Sequence, residues 1–224
     1  MFNNCLICGA KLNRDSSFCA ACAAELPLLG NHCCWCAEPL PDGNYWCGNC
    51  LQHSAKPVKL YVPYRYAFPI SELILQLKFA AKLDYARDLA ELLVHFLKIK
   101  YRDDHYPELL LPIPLSKRRM TARGYNQAGE IARFVDKSLR IAVNWDDLVR
   151  IHDTVAQTTL DHKERAQNLR GAFAWCGERL LGSHLALIDD VITTGSTVHE
   201  AAKTLMQAGA ARVDIWCCAK TLLL

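Results

Sequence analysis

The stretch Ala186-Leu-Ile-Asp-Asp-Val-Ile-Thr-Thr-Gly-Ser-Thr197 decides the fold and the candidate site of this chain. We predict a buried strand at Leu185–Ile188 that ends in Asp189 and Asp190, and a helix at Thr197–Gln207. The loop between them is rich in Thr, Gly and Ser, so its N–H groups and hydroxyls can bind one anion at the helix amino end. The two carboxylates just upstream can accept hydrogen bonds from vicinal sugar hydroxyls.

A blander interpretation of the same stretch is a capped helix that follows a solvent-facing turn. Either the acid pair or the loop alone would be weak support for a ligand site. Their combination at the end of an apolar strand is specific, and Gly195 also lets the backbone approach an anion closely. The sequence therefore predicts a phosphate site at Thr193–Thr197, with a sugar diol held by the acid pair.

Strands and helices alternate along the rest of the chain. Leu109–Ile113 and Val213–Cys218 are apolar runs typical of buried strands, whereas Ile70–Ala80 and Gly124–Ile141 have helical spacing. Such alternation predicts an α/β fold with a doubly wound, mostly parallel sheet. Ligands of these sheets bind beyond the carboxyl ends of the strands, where the acid pair is placed.

The segment IDDVITTGSTV resembles the phosphoribosyl-diphosphate (PRPP) signature of type I phosphoribosyltransferases. The resemblance implies a type I phosphoribosyltransferase-like domain in which Asp189 and Asp190 hold the ribose hydroxyls and are the candidate catalytic residues. Asp190 is one candidate for the general base. The resemblance also implies that the 5′-phosphate lies against the loop residues Thr193, Thr194, Gly195, Ser196 and Thr197.

A basic stretch follows the predicted strand at Leu109–Ile113. It contains Lys117, Arg118, Arg119 and Arg123, with no acidic residue between them. A basic loop at a strand end suits a departing pyrophosphate, because guanidinium groups bind phosphate oxygens in pairs. On charge alone, a solvated loop or a nonspecific nucleic-acid patch is the better interpretation, and the PRPP signature reverses that preference.

The segment PIPLSKRRMTARGYNQA, together with the cysteine-rich start, resembles the ComF/GntX family of competence-associated proteins. The resemblance covers nearly the whole chain. It implies a role in natural transformation or the use of external DNA, with PRPP and single-stranded DNA as ligands. The stretch from Arg150 to Asn168, which includes Gln157 and Arg165, shares the resemblance and is either a solvated surface segment or a lid over PRPP. Lys78, in the apolar stretch Leu75–Phe79, either reaches a phosphate or extends its ammonium group to water.

The amino-terminal sixty residues hold nine of the chain's twelve cysteines. Eight of them form CxxC pairs in a repeated pattern, which favours two structural zinc sites over disulfides because no secretion signal precedes them. Sequential sites are favoured over an interleaved arrangement, and Cys34 is then a spare thiol. The predicted ligands are Cys5, Cys8, Cys19 and Cys22, then Cys33, Cys36, Cys47 and Cys50.

Composition divides the chain into a double zinc-ribbon module at 1–54 and a phosphoribosyltransferase-like domain at 58–224, joined by a short polar linker. The 51% hydrophobic content excludes a disordered chain. No apolar run is long enough to span a membrane, and no secretion signal is recognised, so we expect a cytoplasmic protein. The net charge of +3 permits an anionic partner without requiring one.

Two functions are compatible with this sequence. The first is a phosphoribosyltransferase-type enzyme, in the class of glycosyltransferases, that takes PRPP with Mg²⁺ and transfers the sugar to an unidentified nucleophile. The second is a binding module that senses PRPP or a nucleotide without chemistry. In that case the ribbons and basic loop contact single-stranded DNA or a DNA-import machinery.

Overall fold

The computed structural model describes residues 3–12, 17–53, 56–151 and 170–222. The strands are β1 (Asn3–Asn4), β2 (Lys11–Leu12), β3 (Val58–Tyr61), β4 (Tyr64–Arg65), β5 (Leu109–Pro112), β6 (Leu148–Arg150), β7 (Phe173–Trp175), β8 (His184–Ile192) and β9 (Arg212–Lys220). The α-helices are α1 (Ala20–Ala24), α2 (Ile70–Phe79), α3 (Asp84–Lys100), α4 (Lys117–Arg123), α5 (Gln127–Leu139) and α6 (Ser196–Gln207), and a 3-10 helix covers Gly48–His53. Among these described helices, none has the length and apolar character needed to cross a bilayer.

The central sheet is parallel, as predicted. Its strand order is β3-β9-β8-β5, and β4 pairs with the far end of β9 as a continuation of β3. The longest pairing joins β8 to β9, from His184 opposite Arg212 to Ile192 opposite Lys220. Because the strands run in one direction, the carboxyl ends of β5, β8 and β9 meet at one edge of the sheet.

Helices cover both faces of the sheet, which confirms the doubly wound arrangement. Successive residues of β8 alternate between the faces. Ala186 and Ile188 pack with α2, α3 and α5 in one core, whereas Leu185 and Leu187 pack with α6 in the other. Each face of the sheet is therefore closed by its own apolar layer.

Two predictions of local structure were wrong. Strand β8 does not end at Ile188 but continues to Ile192, because the β-branched Val191 and Ile192 extend the pairing with β9. The basic stretch is not a loop but helix α4, which Ser116 caps by accepting from the Arg119 amide at 3.3 Å.

The cysteine-rich segment, with a first ribbon at Cys5–Glu25 and a second ribbon at Cys33–Cys50, covers the β3 edge of the sheet. Its backbone pairs with β3, with β4 and with the residues between them: the Leu60 amide donates to the Cys34 carbonyl (2.7 Å), the Leu29 amide to the Pro63 carbonyl (2.8 Å), and the Arg65 amide to the Pro27 carbonyl (2.8 Å). An exposed edge strand is a template for pairing with other chains, and the ribbon removes that exposure.

Candidate functional site

Two clusters of four cysteines form the metal centres. The described structure groups Cys5, Cys8, Cys19 and Cys22 in one cluster and the later four in another, and within each cluster all sulfur atoms lie within 4.8 Å of one another. The Cys8–Cys19 and Cys36–Cys47 sulfur pairs are 3.8 and 3.7 Å apart. A tetrahedral zinc with Zn–S bonds of about 2.3 Å requires sulfur separations of roughly 3.8 Å, so both clusters fit structural Zn²⁺.

The sequential pairing of the zinc ligands is confirmed, and Cys34 lies outside both clusters. The duplication extends to the backbone of the metal-binding turns. The amide of Gly9 donates to the Cys5 carbonyl and that of Ala37 donates to the Cys33 carbonyl, both at 2.9 Å. Both donors have a positive φ, of 73° and 58°. The buried Ala37 therefore tolerates a conformation for which Gly is better suited.

The acid pair lies inside β8 rather than after it. Asp190 is 6% exposed, and its Oδ2 is 2.9 Å from Nζ of Lys78, in the last turn of α2. The Asp190 amide donates to Oδ1 of Asp189 at 2.9 Å. Lys78, which the sequence left between two interpretations, therefore compensates a buried carboxylate directly.

The two acids differ in their electrostatics. Burial, and then the neighbouring Asp190 carboxylate, raise the pKa of Asp189 to about 7, although the charges of Lys78 and Arg119 oppose the rise. At neutral pH Asp189 therefore exchanges readily between its acid and its carboxylate form. Perturbed acids of this kind concentrate at functional sites.

The loop between β8 and α6 presents unused amides. Gly195 has a φ of +80°, and the Ser196 amide donates to Oγ1 of Thr194 at 3.3 Å. In the part of the chain that the structure describes, the amides of Thr194, Gly195 and Thr197 donate no hydrogen bond. Three N–H groups at the amino end of a helix are a favourable environment for a phosphate.

The basic side chains of helix α4 have different surroundings. The charge of Arg119 is close enough to the acid pair to lower the pKa of Asp189. Arg123 has other partners: its Nη1 donates to Oε1 of Gln127 (2.8 Å), and its guanidinium lies 5.4 Å from the Phe79 ring centroid. Lys117 and Arg118 are exposed. Of the four predicted basic residues, Arg119, which is also exposed, is the one whose charge acts on the pKa of Asp189.

A cavity of about 610 Å³ adjoins the loop. Its lining includes Thr194 and Ser196 of the loop, His199 and Lys203 of α6, and Trp35 of the second ribbon. Burial lowers the pKa of His199 to about 4, so its ring is neutral at physiological pH. The ribbon is thus part of the surroundings of the loop.

Three residues near the loop were missed or undecided from sequence: Lys78, His199 and Lys220. Lys220 is 1% exposed, and its Nζ donates to the Thr193 carbonyl at 2.9 Å. The position of Lys220 at the end of an apolar strand could have identified it from sequence, because ligands bind beyond the carboxyl ends of parallel strands. The predicted lid residues Gln157, Arg165 and Asn168 lie outside the described residues.

Comparisons with known proteins agree with this architecture. A family model described as a double zinc ribbon domain matches residues 3–51. The DNA utilization protein YhgH of Escherichia coli K12 is 35% identical over 178 residues, which are 79% of this chain and 78% of that protein. Competence protein F of Haemophilus influenzae is 35% identical over 175 residues, covering 76% of each chain.

Among solved structures, a purine phosphoribosyltransferase from Pyrococcus horikoshii overlaps with 61% of this chain and 77% of its own, at 15% identity and a TM-score of 0.36. An overlap this weak supports no activity. The ribbons, the parallel sheet and the two sequence relatives define a class of zinc-ribbon α/β proteins. Within it, this chain belongs to the ComF family, as its sequence motifs predicted.

Proposed function

We propose that the chain binds PRPP, as its magnesium complex, at the carboxyl end of β8 and acts as a phosphoribosyltransferase-type enzyme in the use of external DNA. The observation that carries this proposal is that the acid pair at the end of β8 is followed by three amides, those of Thr194, Gly195 and Thr197, that have no acceptor among the described residues. The 5′-phosphate binds those amides and the ribose diol binds the acids, because one ligand then satisfies both groups of partners.

The chain's own residues supply charge and position. Arg119 stabilises the diphosphate, where negative charge grows as the bond to the anomeric carbon breaks. A nitrogen nucleophile forms the new bond to that carbon, and pyrophosphate departs with the bonding electron pair. The proton of the nucleophile passes to a base, for which the carboxylate form of Asp189, with a pKa of about 7, is suited.

A second function is favoured by the ion pair between Lys78 and Asp190, at 2.9 Å. Because this pair occupies one of the two acids, the site also suits a sensor that binds PRPP or a nucleotide without turnover. The exposed basic residues of α4 would then contact single-stranded DNA, and a DNA-import machinery would be the partner. The names of the two relatives, which refer to DNA utilization and competence, support a DNA-related role for either function.

A cytoplasmic location is part of the proposal. Both metal centres need cysteine thiolates, and thiols of this kind persist in a reducing compartment.

Ligand binding and turnover are tested separately. Mg²⁺–PRPP is expected to raise the melting temperature of the wild type, and the double variant Asp189→Asn, Asp190→Asn is expected to lose that shift. The matched control is Asp103→Asn at an exposed position, which should keep it. An equal shift in the double variant would refute the site.

Turnover is measured as pyrophosphate release when PRPP is mixed with bases, amines or single-stranded DNA. Release that depends on one acceptor supports the enzyme. Binding without release from any acceptor supports the sensor.

A further inference from the structure

The second ribbon contacts the phosphate loop region through an aromatic stack. Trp35 lies in the turn between the ligands Cys33 and Cys36. Its ring stacks on that of His199 at a centroid distance of 3.9 Å and an angle of 9°. Nε2 of the neutral His199 ring donates to the Trp35 carbonyl at 2.8 Å. Both the ring and the backbone of Trp35 therefore hold one histidine of α6.

His199 in turn is packed against the loop. Its amide donates to the Gly195 carbonyl at 3.0 Å, which closes the first turn of α6. Its ring carbon Cδ2 is 3.1 Å from the position that a Cβ on Gly195 would take. The ring thus fills the space beside the glycine whose amide faces the predicted phosphate.

A polar contact reaches the other end of the loop. Oε1 of Glu38, in the second ribbon, lies 3.3 Å from Nζ of Lys220. The same Nζ donates to the carbonyl of Thr193 at 2.9 Å. Lys220 has 2% of its side chain exposed, whereas Glu38 has 50%. The ribbon carboxylate therefore partly neutralises a buried ammonium that holds the first residue of the loop.

The described part of the first ribbon docks elsewhere. The Ser17 hydroxyl donates to Oδ1 of Asp88 in α3, and Phe18 packs in the core formed with α2 and α3. The two ribbons have the same cysteine spacing but different neighbours. The first ribbon therefore serves as an internal control. A substitution there changes a ribbon without removing a contact to the loop.

We propose that the second zinc ribbon positions the phosphate loop, with His199 and Lys220 as the positioning residues through which Trp35 and Glu38 act. The inference rests on the proposed binding of PRPP at this loop. It follows that zinc in the second cluster and a phosphate ligand in the loop bind cooperatively. By linkage, each increases the affinity for the other by the same factor.

The first experiment measures the Kd for Mg²⁺–PRPP by calorimetry, with zinc content and melting temperature measured on the same samples. Glu38→Gln is nearly isosteric and Trp35→Ala removes the stack. Both are expected to keep two zinc ions, and to weaken binding about fivefold and about tenfold, respectively, at the lower end of the usual range of coupling between sites. Trp35→Phe, which keeps a stacking ring, should recover most of the loss.

Matched controls separate positioning from general damage. Glu25→Gln changes an exposed acid of the first ribbon, and Trp145→Ala removes a half-exposed tryptophan outside both ribbons. Both controls should keep the wild-type Kd. If Glu38→Gln and Trp35→Ala bind PRPP as tightly as the wild type, or if Glu25→Gln weakens binding equally, the positioning role is refuted while the binding site survives. If the wild type itself binds no PRPP, the proposed function fails and the inference fails with it.

The second experiment reads the zinc side of the linkage. Release of zinc to a colorimetric chelator is followed with and without saturating Mg²⁺–PRPP. One of the two zinc ions should leave more slowly when PRPP is bound, and Glu38→Gln should reduce that protection. Equal slowing of both ions, or none in a wild type that binds PRPP, would overturn the coupling.

Discussion

Replacing Asp189 by Asn is expected to stabilise the protein, although Asp189 belongs to the proposed site. The folded environment raises the pKa of this acid from 3.8 to about 7, mainly through burial and through repulsion by Asp190. A carboxyl group with a raised folded pKa binds its proton more tightly when folded, so its contribution to stability falls as the pH rises from about 4 to about 7. Above pH 7 the folded protein bears the whole cost of the ionised side chain.

The size of the effect follows from the pKa. The full difference corresponds to roughly 4 kcal/mol, and partial exposure of the Asp189 side chain reduces the expected gain to about 2–3 kcal/mol at pH 8. The amide of Asp190 keeps its acceptor, because the Asn side-chain oxygen can replace the carboxylate oxygen at 2.9 Å. The pair of Lys78 with Asp190 is unaffected.

The assay is urea unfolding of the wild type and Asp189→Asn at several pH values between 4.5 and 8, at one zinc concentration. Because both proteins carry the same cysteines, any effect of metal loss cancels in the difference. That difference should be smallest at the acid end and grow to its maximum above pH 7. Asp103→Asn, at an exposed position, should show no such profile. A variant that is equal to the wild type throughout, or less stable at pH 8, would refute the electrostatic description of the acid pair.

The neighbouring substitution, Asp190→Asn, is expected to destabilise the protein. It leaves Lys78 without its partner and should lower the unfolding free energy by about 1–3 kcal/mol. A rise in that free energy would contradict the ion pair. Gly195→Ala places a methyl group at a φ of +80°, 3.1 Å from the His199 ring. It should lower the unfolding free energy by about 1–2 kcal/mol, measured by urea unfolding, and weaken PRPP binding, measured by calorimetry. Metal analysis should give close to two zinc ions per chain; one or none would contradict the double ribbon. Neutralising Lys117–Arg119 should weaken single-stranded DNA binding and flatten its salt dependence, and an unchanged slope would exclude these residues as phosphate contacts.

The parts of the molecule that sequence predicted well are local. Ligands two and ten residues apart fix each zinc site within one turn and one short segment, so the spacing alone predicted both clusters. The segment from β8 through the loop to α6 is equally local. Its apolar run, acids and Gly195 follow each other without interruption, and the structure places them at the carboxyl edge of the sheet.

The parts that could not be predicted depend on distant residues. Lys78 and Asp190 are more than one hundred positions apart, as are Trp35 and His199, and no periodicity relates them. The error over α4 was avoidable, since Ser116 ahead of the basic residues and Gly124 after them are ordinary helix boundaries. The early end assigned to β8 was a reasonable error, because carboxylates inside a central strand are rare unless they are compensated.

The cover that the ribbon provides over β3 and β4 has a consequence for the life of the protein in the cell. Leu60 and Val62 are buried apolar residues of this edge, and the Leu60 amide and the Pro63 carbonyl pair with a segment whose own structure depends on metal. A newly made chain that has not yet bound zinc therefore exposes an edge strand that can pair with other copies of the chain. Scarcity of the metal during synthesis would therefore favour pairing between copies of the chain through this edge.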